Sequence, residues 1–212
     1  MRPFATLVVA IAVAAGPLSG CGSDDAAPAS RDDRASASPT SAAPAASPPS
    51  PNLDQYLLQV DEGPGLEPMS SPQTDSEEPF PLPEGGAETL ERSGYISTTY
   101  QTGQGDSIAG VSSVLLFETE AGARDWMTYE TSAAVLRHQI PDGKFKWFQI
   151  PDVPGATGWT GPDLHGNAIG NVYWTQGRCM MLISVETGGP RVEPLSAGAK
   201  AIYERTGGTC PD

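Results

Sequence analysis

The chain has 212 residues, with 12 Lys and Arg against 26 Asp and Glu, for a net charge of −14. That imbalance repels phosphate backbones and anionic head groups, so no nucleic-acid partner is expected. Only 38% of the residues are apolar, which is low for a chain packed along its whole length and predicts an unfolded portion.

Arg2 opens the chain, and Leu7–Ala15 is an unbroken apolar run. The run is too short to cross a bilayer as a helix. A charged start, a short apolar centre and small residues after it predict an export signal over 1–20 that is removed. The run closes on Leu18-Ser19-Gly20-Cys21, which resembles the bacterial lipobox of a Leu, two small residues and a Cys. The resemblance implies cleavage just before Cys21 and a diacylglycerol on its thiol. It also implies a protein anchored through Cys21 to the outer face of the cell membrane. Two acyl chains on one residue satisfy the two-signal requirement for stable anchoring.

Residues 21–51 are mainly Ala, Ser, Pro and Asp, with no aromatic side chain. They cannot bury enough apolar surface to offset their ordering entropy, so a disordered tether is expected. As a coil it spans about 30 Å.

The remaining segment, 52–212, is the expected folded domain. Arg2, Arg31 and Arg34, and Asp24, Asp25, Asp32 and Asp33, precede it, so the domain itself carries −13. Residues 52–58 are compatible with a short helix, and the Pro-, Gly- and Glu-rich stretch 61–90 predicts an extended irregular segment. Residues 94–101 and 111–117 read as strands joined by a loop. The second ends in Val114-Leu115-Leu116-Phe117, a continuous apolar run that predicts a central strand covered on both faces. Gly122, Trp126, Tyr129, Ala133, Leu136 and Ile140 then recur at helical spacing, which predicts one helix over 120–140, capped by Thr119 and ended by Pro141. Short strands follow at 144–150 and at Trp159. A hairpin is expected from 169–175 to 178–186, with Cys179, Met181, Ile183 and Val185 on one face. A last helix begins near Pro194 and ends at Gly207-Gly208. Hairpin-like strands with segregated helices predict an α+β fold, an antiparallel sheet with two main helices on one face.

If Cys21 carries lipid, Cys179 and Cys210 remain. An exported protein meets oxidising conditions, so these two are expected to form a disulfide. Catalytic signals are weak. Gly105-Asp106-Ser107 resembles the GDS block of lipolytic hydrolases, but Asp163-Leu164-His165 lacks that family's D-x-x-H spacing. His138 and His165 are far apart, no Cys pair is spaced for zinc, and no cofactor is expected. Trp159 and Trp174 flank the Gly-rich stretch "GWTGPDLHGNAIGNVYW". With His165 they are the candidate ligand-binding residues.

The lipobox, the tether, "QYLLQVDEGPGLEP", "VSSVLLFETEAGARDWMTYE", "VPGATGW", "NVYWTQGRCMMLISV" and the late Cys together look like the lipoproteins and sensor-like domains of actinobacterial envelopes. Relatives of the extracellular sensor domains of mycobacterial receptor kinases belong to that group. The resemblance is one of layout. It implies a non-enzymatic domain that binds a small ligand or an envelope protein, and it supplies no site residues. A small envelope hydrolase and a structural accessory subunit of a membrane complex stay open as alternatives.

Overall fold

The structure, a computed structural model, describes residues 51–59, 61–62, 65, 67–68, 70–77, 82, 85–105, 108–140, 143–162, 166–187 and 192–211. All of them fall in the unit Pro48–Asp212. The expected signal segment 1–20, Cys21 and nearly all of the tether lie outside the described residues.

After a 3-10 turn at Asp54–Tyr56, the elements run in chain order. They are β1 (Glu67–Pro68), β2 (Gln73–Asp75), α1 (Gly86–Arg92), β3 (Tyr95–Gly105), β4 (Ile108–Phe117), α2 (Glu120–Glu130) and α3 (Ala133–Gln139). Then come β5 (Lys146–Gln149), β6 (Thr157–Pro162), β7 (Ala168–Gln176), β8 (Cys179–Thr187) and α4 (Val192–Thr206). The eight strands form one sheet in the order β1-β3-β4-β8-β7-β6-β5, with β2 also paired to β3. Every pairing is antiparallel, as the α+β reading expected.

The two main helices do not share a face. Trp126 and Ala123 of α2 pack with Leu115, Phe117, Tyr173 and Met180. Leu195, Ala199 and Ile202 of α4 pack with Val114, Leu116, Trp174, Met181 and Ile183. Successive residues of a strand point to opposite faces, so the apolar run 114–117 feeds both clusters. Met180 and Leu182 also alternate with the Cys179–Val185 stripe. That second apolar set needs its own cover, and this is why one helix lies on each side.

Three local expectations are also corrected. The helix over 120–140 is two helices. The Thr131 hydroxyl donates to the Met127 carbonyl at 2.8 Å, and the Ser132 hydroxyl accepts from the Val135 N–H at 3.4 Å. Ser132 is extended (ψ 149°) and starts the second helix, which leaves Ala133 exposed although it fits the single stripe. The loop expected between the first two strands is largely strand, because β3 continues to Gly105 and β4 starts at its pairing partner Ile108. The segment 61–90, expected to be irregular, contributes β1, β2 and the first part of α1.

The Thr119 cap forms: its hydroxyl accepts the Gly122 N–H at 3.0 Å. We expect Thr119→Ala to destabilise the domain by about 1 kcal/mol, read as a lower urea midpoint at constant m-value. Residues 53–58 dock beside α4. Leu53, Tyr56, Leu57 and Leu58 are buried there, and Arg205 donates to the carbonyls of Gln55 and Leu57 at 3.1 and 2.6 Å.

Candidate functional site

The residues singled out from sequence do not converge. Trp159 and Trp174 are each 0% exposed and sit in different core clusters, on opposite faces of the sheet. Trp159 is on β6 opposite Asn171, whereas Trp174 is on β7 opposite Met181. Strand alternation sends their rings apart, so both are core side chains and no groove lies between them. His165 lies outside the described residues. His138 is exposed in the last turn of α3. Cys179 and Cys210 are joined in a disulfide with a Cα–Cα distance of 5.7 Å.

The open site is elsewhere. A groove of about 650 Å³ lies between the edge strand β5 and the start of α4. Its walls include Lys146, Trp147, Phe148, Thr160, Val192 and Glu193. The volume falls within the range of small-ligand sites. Two glycines behind the lining set the packing of its walls. Phe148 pairs with Gly158, where a Cβ would come within 2.3 Å of the Phe148 ring. The missing side chain lets that ring lie down over the sheet. At Gly170 a Cβ would meet Leu195 of α4 at 2.7 Å, so this glycine brings the helix close to β7.

The groove differs in charge from its surroundings. Arg92, Arg124, Lys200 and Arg205 are paired with carboxylates of Glu88, Glu120, Asp152 and Glu62 respectively. Lys146 is exposed and makes no ion pair among the described residues, and Lys144 lies beside it in the same groove. In a domain of charge −13 the Lys146 ammonium places a local positive charge on the groove wall. The first turn of α4 brings Glu193 to the opposite wall. Trp147 is 46% exposed, whereas Trp126, Trp159 and Trp174 are 1% or less. Trp147 also meets Phe145 edge to face, with centroids 5.8 Å apart. Sequence reading singled out Trp159 and Trp174 and passed over Trp147. The missed signal was the charge around Trp147: "KFKWFQ" places two lysines just before it.

A titratable pair lies across the sheet. Glu130 ends α2, where the helix dipole disfavours a carboxylate. The residue as a whole is only partly buried, yet crowding around its carboxyl raises the pKa from 4.5 to about 7. Burial also raises the Tyr173 hydroxyl, and the Glu130 charge adds to that. The Trp159 indole N–H is near enough to Tyr173 to oppose the shift slightly. It is not aligned for a hydrogen bond. Among the described residues no three His, Cys, Asp or Glu side chains are grouped to hold a metal ion. Among them, too, no helix is long and apolar enough to cross a membrane.

No family model and no curated protein matches the chain. Solved structures do. The fold is similar to that of the extracellular domain of PknH from Mycobacterium tuberculosis. The TM-score is 0.50 at 14% identity, over 72% of this chain and 93% of the PknH domain. An uncharacterized protein from Mycobacterium smegmatis overlays with a TM-score of 0.38 at 10% identity, over 71% of this chain and 98% of that one. At such identity the likeness to PknH concerns the arrangement of strands and helices and transfers no residue. It agrees, at the level of fold, with the layout read from the sequence.

Proposed function

We propose that this protein is an exported lipoprotein, anchored through Cys21, whose domain binds a ligand or partner in the cell envelope without catalysing a reaction. The groove beside β5 is its binding site. The carrying observation is Trp147, a groove-lining aromatic side chain left 46% exposed next to Lys146 in a domain that buries its other tryptophans. Trp147 adjoins the half-buried rings of Phe145 and Phe148, and apolar side chains lining a groove with a few polar groups mark binding sites. The lipobox, the disulfide and the fold shared with a domain described as extracellular support export. Glu130, the carboxyl with a pKa near neutrality, does not line the groove, which disfavours a hydrolase centred there.

Tryptophan emission tests the site. Acrylamide should quench one of the four tryptophans readily, and an envelope fraction containing the ligand should shield that one. Trp147→Phe should remove both the quenchable component and the shielding. Shielding that persists in the variant would place the ligand elsewhere. For the anchor, fatty-acid labelling should be lost in Cys21→Ala, with release from the membrane. A variant that stays labelled would refute the lipidation reading.

A further inference from the structure

We infer that the β5 edge is a docking strand for an extended acidic segment of a partner protein, added to the sheet as one more antiparallel or parallel strand. This inference rests on the groove being the binding site and names the class of its occupant.

Strand β5 ends the sheet order, and it pairs only with β6 among the described residues. Alternate residues of an edge strand turn their N–H and C=O groups outward, where they can bind another strand. Lys146, Trp147 and Gln149 are all exposed. Lys146 and Trp147 are adjacent and therefore point to opposite faces, so the edge is open on both sides. The groove runs beside this strand, bounded by the first turn of α4. A backbone laid along β5 would send alternate side chains into it.

Charge selects the occupant. A residue opposite Lys146 lies within about 5 Å of it, and opposite charges there are favoured. The next residue of the partner would face Trp147, where an aromatic or β-branched side chain packs best. The matching segment thus alternates acidic and apolar residues over about five positions, the length of β5 plus one. A second copy of this chain fits poorly, since antiparallel pairing of β5 with itself sets Lys146 opposite Gln149 and supplies no opposite charge. The opposite margin of the sheet is not equivalent: β2 there ends on Asp75, with Glu77 beyond it.

The test uses the full chain in mild detergent and a blocked octapeptide of alternating glutamate and valine. Binding should blue-shift Trp147 and slow hydrogen exchange at amides of β5. A lysine–valine version should bind roughly tenfold more weakly, as should one with proline at alternate positions, which lacks the N–H groups. Lys146→Glu should cost a similar factor with an unchanged melting temperature. Equal binding of the proline peptide, or unchanged exchange at β5, would overturn strand addition. Tighter binding of heparin, an anionic polysaccharide, would overturn the peptide assignment. Self-association in sedimentation that Lys146→Glu abolishes would assign the edge to a second copy instead. If the octapeptide fails while an envelope fraction still shields Trp147, strand addition fails and the groove reading stands. If neither shields Trp147, both fail.

Discussion

Replacing both Cys179 and Cys210 by Ala should lower the unfolding free energy by about 3.7 kcal/mol. The two residues are 31 positions apart, so the bond closes a loop of 32. Chain-entropy reasoning for a loop of that size gives this value, within the usual range of about 2–5 for a native disulfide. The bond ties the start of β8 to the tail beyond α4, two elements that meet on one face of the sheet. Other contacts support the same junction. The Arg178 side chain donates to the Pro211 carbonyl at 3.0 Å, and a Cβ at Gly177 would sit 3.4 Å from Cys210. Reductant should therefore reproduce the effect in the native chain. In a urea titration the double variant should keep a cooperative transition with a lower midpoint, and its melting temperature should fall by roughly 8–15 °C. A loss below about 1 kcal/mol would mean that residual structure already holds these ends together in the unfolded chain.

The second large effect is pH dependence from Glu130. Its carboxyl titrates near 4.5 when unfolded and near 7 in the fold. Between those values the folded chain holds a proton that the unfolded chain has lost, so stability falls as pH rises across that window. The ceiling on the change is about 3 kcal/mol, and partial contact of Glu130 with water lowers it to about 2. Glu130→Gln removes the titration. Wild type and variant should be equally stable near pH 4, and the variant more stable above pH 7. Parallel melting curves for the two proteins from pH 4 to 8 check this. A constant difference over that range would show that the carboxyl does not titrate there.

Much of the fold was legible in local patterns. Thr119, Gly177 and Gly207-Gly208 mark a cap, a turn and a helix end through rules that act over a few residues. Gly177, Gly207 and Gly208 all have positive φ. Strand β4 declared itself by four apolar residues in a row. The disulfide was expected once the lipobox resemblance set Cys21 aside and left Cys179 and Cys210 as a pair. The candidate site was not legible in the same way. Trp147 and Trp159 are directly opposed on β5 and β6, and both sit on short strands in the sequence reading. One is exposed and the other buried because β5 is the last strand of the sheet, and sheet order depends on pairing between distant segments.

The amino-acid sequence alone determined the fold class and the acidic character: a Pro- and Ser-rich stretch followed by an acidic α+β domain with one disulfide. These depend on composition, short motifs and periodicity, which are local properties. Tertiary structure alone decided that α2 and α4 take opposite faces, that Trp159 and Trp174 are core, and that β5 is the open edge. Those depend on which surfaces meet, because burial is set by what covers a side chain and a side chain's neighbours in space are mostly far away in the chain.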